Sequence, residues 1–294
     1  KVDNRKIPAP NVGSPRLITP GAIVLAAFDL DGNKKWSINV GEFVSAHGFN
    51  ACPILYRDLV IINGDHDANA YLAALDRQTG KLRWKIDREN KTRSYATPII
   101  RTIGGREQMI LCGSKSVASD NPASGKRHWI IDGPTEQFVA SMVYNGKYVF
   151  VTGGFPERHI LAIRPEGHGN VTETHIAWRA KRGAAYVPSP IVVGPYFLIV
   201  SDSGIASCFN AEDGNRLWME RLGGGHSASA VSANGLVYFV SDKGITTVVR
   251  AGTKFEVLAK NEIKELVSSS PAISQGQLFI RGQKPLFCIG EKTD

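Results

Sequence analysis

The phrase A-L-D-R-Q-T-G-K-L-R-W, from Ala74 to Trp84, returns along the chain as D-L-D-G-N-K-K-W (Asp29 to Trp36), N-P-A-S-G-K-R-H-W (Asn121 to Trp129) and N-A-E-D-G-N-R-L-W (Asn210 to Trp218). The five tryptophans stand 48, 45, 49 and 40 residues apart, and one further step of 39 reaches Val257. A phrase recurring at this period means a repeat architecture, and the period is that of a four-stranded propeller blade.

A second landmark keeps step with the first. Twelve to seventeen residues after each of these positions comes a small-Pro-apolar or small-small-apolar step, at Cys52-Pro53-Ile54, Thr97-Pro98-Ile99, Ala140-Ser141-Met142, Ser189-Pro190-Ile191, Ser229-Ala230-Val231 and Ser270-Pro271-Ala272. Between landmarks lie short β-branched and aromatic runs such as Tyr148 to Thr152 and Phe197 to Ser201, each followed by Gly, Asp or Asn, the mark of a strand running into a turn. No long helical period interrupts them. Each repeat therefore predicts an inner strand at the small-residue step, a second in the apolar run, a third ending in the phrase, and an outer strand with the tryptophan. Within the phrase, Asp76 can bond back to its own turn, Gly80 permits positive φ, and the tryptophan supplies an apolar plate for packing between sheets.

These A-L-D-x-x-T-G-K-x-x-W units and S-P-x-I strands resemble the quinoprotein, or PQQ-like, β-propeller repeat family over residues 22 to 290. The resemblance implies an all-β propeller of four-stranded antiparallel blades forming a single domain over residues 1–294. Seven blades are expected, with six or eight as alternatives. Gly13 to Ile18 reads as a seventh inner strand, the first blade as short by about one strand, and the N-terminal segment as the fourth strand of the last blade.

The family spans quinone-dependent alcohol dehydrogenases, which hold pyrroloquinoline quinone and calcium, and cofactor-free relatives such as the BamB scaffold of outer-membrane protein assembly. The quinone enzymes are about twice this length and place an adjacent cysteine pair against the cofactor; here the nearest cysteines, Cys52 and Cys112, are 60 residues apart. All five tryptophans are assigned to blade docking, which leaves none for a platform under a quinone. The reading is thus a cofactor-free, non-catalytic interaction scaffold of the BamB-like branch, with no metal. The alternatives are a quinone-dependent oxidoreductase or propeller hydrolase or lyase, and a small-ligand or glycan-binding module using the central channel.

No run of eighteen apolar residues is present, so no transmembrane helix is expected. The start, K-V-D-N-R-K-I-P-A-P-N, lacks an apolar signal region and a lipidated cysteine; it suits a cytoplasmic protein or a mature or trimmed chain, and the resemblance implies a periplasmic or extracellular monomer. Net charge is +8, with nine basic residues between Arg77 and Arg106. They read as solvated turn and outer-strand positions, against the alternative of a site for an anionic surface or polymer. No nucleic-acid module accompanies them, so the expected partner is another protein or an anionic surface or ligand. Cys52, Cys112, Cys208 and Cys288 fall in small-residue slots of different repeats and read as buried free thiols.

In a propeller, the loops leading into inner strands and those joining second to third strands open on one face, where ligands usually sit. The first set carries His47, Arg93 with Tyr95, Glu136 with Gln137, Arg182 with Tyr186, and His226; the second carries Asp65, His66 and Asp67, then Glu157 to His159, Asp202 and Asp242. The turn G-D-H-D-A-N around His66 could serve a hard cation, but reads first as a backbone-capping turn. The residues that differ between repeats are the candidates for partner or ligand binding.

Overall fold

Each copy of the phrase closes a β-hairpin. In the Ala74 copy, Asp76 Oδ1 accepts from the amides of Gln78 and Thr79 and from the Thr79 hydroxyl, at 2.9–3.0 Å, and these bonds hold its carboxyl below the usual carboxylate range. Gly80 follows at φ +71°, a conformation that costs an L-residue energy. One residue before each tryptophan the ladder slips, as where Ala74 pairs with Trp84 and Leu75 with Leu82. The same bulge recurs at Trp36, Trp129, Trp178 and Trp218. A bulge of this kind re-aims the side chain beside it.

In a computed structural model that describes residues 5–10, 12–133 and 135–290, the strands form sheets that follow chain order and are antiparallel apart from one added strand. A hairpin (Gly21–Phe28, Lys34–Phe43) is followed by a four-stranded sheet (Ile54–Tyr56, Leu59–Gly64, Tyr71–Asp76, Leu82–Asp87). Next comes a sheet of Ile99–Ile103, Arg106–Gly113, Ser116–Asp120 and Arg127–Asp132, joined by a fifth strand, Gly169–Asn170. Three more four-stranded sheets begin at Val143, Ile191 and Val231, and a three-stranded one spans Ala272 to Ile289. The architecture is all-β and propeller-like. The chain divides into two compact units: Lys1–Phe138 with Glu166–Thr174, and Val139–Pro165 with His175–Asp294.

Both landmarks join neighbouring sheets. The indole N–H of Trp36 donates to Arg77 O, Trp84 to Pro122 O, Trp178 to Ala211 O and Trp218 to Gly252 O, at 3.0–3.2 Å. Each acceptor lies in the phrase turn of the following sheet, and a Cβ on Gly214 would come within 2.6 Å of the Trp178 ring. Glycine is therefore required there twice over, for its φ and for the close approach. At the inner strands, Cys52 N donates to Thr97 Oγ1, Ser141 N to Ser189 Oγ, Ser189 N to Ser229 Oγ and Ser229 N to Ser270 Oγ. The small hydroxyl residue of each step is thus the acceptor for the step before it.

Several expectations are corrected. The Trp129 side chain is fully buried, and its indole N–H has an acceptor within its own sheet, Gln108 Oε1 at 2.8 Å. Beside it runs an addition that the repeat does not predict, the strand Gly169–Asn170, which pairs in parallel. Ala259, not Val257, holds the sixth tryptophan slot, opposite Val248, because that turn closes from Arg250 to Glu256 where the others close from Asp76 to Lys81 or Asn210 to Asn215. Among the described residues the sheet that contains Trp36 has two strands, and Leu17–Ile18 pairs with Ile7–Pro8 instead of serving as its inner strand. The last sheet contains no N-terminal strand among the described residues. Cys112 and Cys208 are buried free thiols, whereas Cys52 and Cys288 are free but exposed.

Candidate functional site

In the first unit the loop from Asp65 to Ala70 joins Leu59–Gly64 to Tyr71–Asp76, and charge holds it in place. Asp65 Oδ1 accepts from Arg88 Nε at 2.9 Å, and its Oδ2 from the Ser94 hydroxyl at 2.8 Å. Asp67 Oδ2 accepts from Arg93 Nη1 at 2.7 Å and Oδ1 from the Arg93 amide at 3.2 Å. Both ion pairs are buried, with the arginine side chains 3% exposed and the aspartates 0%. Such pairs persist only when further hydrogen bonds satisfy the remaining donors and lone pairs. Arg88 Nη2 accordingly donates to Gly113 O at 2.9 Å, and Arg93 Nη1 also to Pro10 O at 3.2 Å. Two of the nine basic residues expected to be solvated are therefore internal.

His66, between the two aspartates, accepts the Val44 amide on Nδ1 at 2.8 Å, and its ring stacks on Phe43. An imidazole that accepts on Nδ1 is neutral and carries its proton on Nε2. Burial lowers its pKa, opposed by the Asn69 carbonyl and the carboxylates of Glu42, Asp65 and Asp67. Val44 O in turn accepts the Asp67 amide at 2.8 Å, so His66 and Asp67 grip the segment that leads to His47. His47 itself is exposed, its ring 3.4–3.5 Å from Arg16 Nη2, and burial, Arg93 and Arg16 lower its pKa.

The Tyr95 hydroxyl lies 3.5 Å from Ser45 Oγ. Glu136 is half-buried and pairs with Lys115 at 3.3 Å, while Gln137 beside it is buried.

In the second unit the same loop positions are held by main-chain groups. Asp202 accepts from the amides of Tyr186 and Val187 at 2.9 and 3.0 Å, and Asp242 from that of Ser227 at 2.8 Å. His226 N donates to Asp202 O, Asp242 N to Gly225 O and Val267 N to Asp242 O, so each inter-strand loop is clasped between two lead-in loops. Arg182 is exposed, Tyr186 half-buried and His226 buried.

The structure thus gathers Asp65, His66, Asp67 and Arg93 in one buried network with Arg88 and Ser94, and leaves His47, Tyr95, Glu136, Arg182 and Tyr186 with surface. Nothing in the sequence ties Arg88 to Asp65, 23 positions away, beyond its place just after an outer strand. The sequence reading also passed over the large apolar side chains that these loops expose: Phe49 in the first unit, and Phe155, Val187 and Leu266 in the second. Among the described residues no three His, Cys, Asp or Glu side chains stand together as a metal-holding group.

A sequence-family profile described as outer membrane protein assembly factor BamB (PQQ_2) matches residues 9–154 and 137–257. No curated protein matches by sequence. Among solved structures, BamB from Moraxella catarrhalis superposes with a TM-score of 0.50 at 13% identity, over 94% of this chain and 93% of that one. Quinohemoprotein alcohol dehydrogenase from Comamonas testosteroni superposes with a TM-score of 0.52 at 10% identity, over 73% of this chain and 43% of that one. The computationally designed Ika8 protein gives 0.63 at 11% identity, over 88% and 75%. At these identities the likeness is one of fold.

Proposed function

The chain belongs to the family described as outer membrane protein assembly factor BamB, and from that membership together with the loop chemistry we infer that it is a cofactor-free, non-catalytic scaffold that binds another protein. The observation that carries this reading is the division of labour within the loops. The polar side chains at their base pair with one another in the first unit and cap main-chain amides in the second, while each unit turns large apolar groups outward: Phe49 in the first, Val187 and Leu266 in the second. Aromatic and aliphatic anchors set among exposed arginine and tyrosine are what a protein interface uses, with the polar groups forming its rim.

In this reading His47, Tyr95, Glu136, Arg182 and Tyr186 are contact residues, and Asp65, His66, Asp67, Arg93, Gln137 and His226 hold the loops that present them. The sheets are seven blades of one propeller domain, and the protein works as a monomer in the periplasm or outside the cell.

The test is chemical cross-linking in the native cell with Phe49→Asp and Leu266→Asp variants, both changed at exposed positions that leave the network intact. A partner captured by the parent chain and lost from both variants at unchanged thermal stability supports the reading. Capture that is indifferent to both substitutions overturns these exposed loop residues as binding anchors.

A further inference from the structure

Two successive lead-in loops of the second unit have the same length, Arg182-Gly183-Ala184-Ala185-Tyr186 and Leu222-Gly223-Gly224-Gly225-His226. They start alike, with Gly183 and Gly223 both at φ +91°. In the first loop Ala184 and Ala185 are buried and pack with Phe197 and Phe209 in an apolar cluster. In the second, Gly224 and Gly225 replace these alanines; Gly224 turns left-handed again at φ +72° and leaves open space where a Cβ would stand, whereas a Cβ on Gly225 would meet Asp242 Oδ2 at 2.5 Å. A hollow of about 230 Å³ opens there, with Leu222 and Ile245 among its walls. The next repeat closes the corresponding loop with bulkier residues, Ile263-Lys264-Glu265-Leu266-Val267.

The polar groups around this hollow also depart from the neighbouring repeat. His226 stands where the first loop has Tyr186, Lys243 where it has Ser203, and Thr247 where it has Ser207. The His226 side chain borders the hollow at 2% exposure, and its Nδ1 makes no hydrogen bond of ordinary geometry. A buried polar atom left in that state costs energy unless a ligand or water meets it. Burial lowers the pKa of His226, opposed by the Gly224 carbonyl and Asp242, so the ring is neutral at pH 7 and Lys243, exposed at the rim, supplies the full positive charge. Asp242 is not among the walls of the hollow; its Oδ1 accepts the Ser227 amide and its Oδ2 lies against Gly225.

We propose that this hollow binds a small carboxylate, with its charge on the Lys243 ammonium, its oxygens facing His226 and Thr247, and a short apolar tail against Leu222 and Ile245. The site is independent of the scaffold reading, because it lies in a recess and not on the exposed anchors. The ligand could be a free small acid or the C-terminus of a peptide, which present the same group.

The experiment is a nuclear magnetic resonance titration of the full chain with sodium butyrate, acetyl-Ala-Val-OH and acetyl-Ala-Val-NH2, using sodium chloride as the reference. Saturable millimolar shifts at the amides of Gly223, Gly224 and Gly225 are expected. Lys243→Ser, which installs the neighbouring repeat's residue at an exposed position, should weaken binding about tenfold through loss of the charge-assisted bond; His226→Tyr should abolish it by filling the hollow. Binding of butyrate alone identifies a free acid, and tighter binding of the peptide acid with none of its amide identifies a chain terminus. No saturable shift from either acid up to about 50 mM, a range that covers weak millimolar sites, overturns the proposal, as does unchanged affinity in Lys243→Ser.

Discussion

The loop that follows the second strand is held by two different chemistries in the two units. Around Asp65 and Asp67 the means is charge: two arginines from the next lead-in segment enter the interior and pair with two buried aspartates. Around Asp202 and Asp242 it is main chain: partly exposed carboxylates cap amides, and carbonyls pair with amides across loops. A carboxylate that caps a backbone amide needs no second side chain and tolerates wide variation in its neighbours. A buried ion pair needs both partners, because removing one leaves a charge that water cannot reach. The first unit is therefore the part of the molecule where single substitutions at loop positions do most harm.

The largest effect should come from splitting a buried pair. Arg88→Ala strands Asp65 and is expected to cost about 3 to 5 kcal/mol, against about 1 to 2 kcal/mol for Asp242→Ala, which loses a hydrogen bond at a partly exposed site. Urea unfolding of both variants tests the contrast, and near-equal shifts of the midpoint would remove it. The double variant Arg88→Met/Asp65→Leu should recover most of the loss, since no charge is left unpaired.

The docking tryptophans permit a finer comparison. Trp178 is 8% exposed and lies among Phe150, Phe197 and Phe209, so Trp178→Ala should cost about 3 to 5 kcal/mol. Trp36 makes the same indole bond from a two-stranded sheet and is only half-buried. Burying less apolar area, it should lose roughly half as much on truncation. Equal losses from the two would mean that the indole bond and not the buried area sets the value of the slot.

The repeat itself was legible because it is written in residues with local consequences. Asp76 and Gly80 make a turn whatever surrounds them, and the tryptophan spacing then counts the sheets. The fifth strand of the third sheet also left a trace: the interval of 49 from Trp129 to Trp178 is the longest, and the turn after Ile163 closes from Arg164 to His175, far wider than Asp76 to Lys81. The extra length supplies the strand Gly169–Asn170, but nothing in its residues says that the strand pairs in parallel with the sheet before it.

The site was legible only as a set of positions. Variation between repeats marked Asp65 to Asp67, Arg93 and His226, yet whether such a residue faces solvent or a buried counter-charge depends on side chains more than twenty positions away, and single-sequence periodicity carries no such pairing. The exposure of Cys52 and Cys288 eluded the sequence for a similar reason. A small-residue slot is sealed only where a neighbouring strand covers it, and Cys288 lies on an edge strand of a sheet that has three strands among the described residues.

The smallest effect concerns protons, and it distinguishes the units by what is released. His66 in the first unit and His159 in the second both have depressed pKa values, the latter about 4, chiefly through burial. A histidine whose folded pKa lies below the unfolded value of about 6.5 binds fewer protons when folded. Its contribution is therefore complete above that value and is lost as pH falls toward the folded one. For His159 the loss between pH 6.5 and 5.5 is about 1 kcal/mol, and His159→Gln should flatten the stability profile there. Protonating His66 does something further, because its Nδ1 then carries a hydrogen and can no longer accept the Val44 amide. Amide exchange at Val44 should accelerate as pH falls below the ordinary histidine value, after correction for intrinsic rates, while His66→Gln should lose that acid-specific acceleration. If Val44 stays equally protected at pH 5, the lead-in to His47 is held by the Val44 O to Asp67 bond alone, and the first unit's loop depends on its buried charges without help from the imidazole.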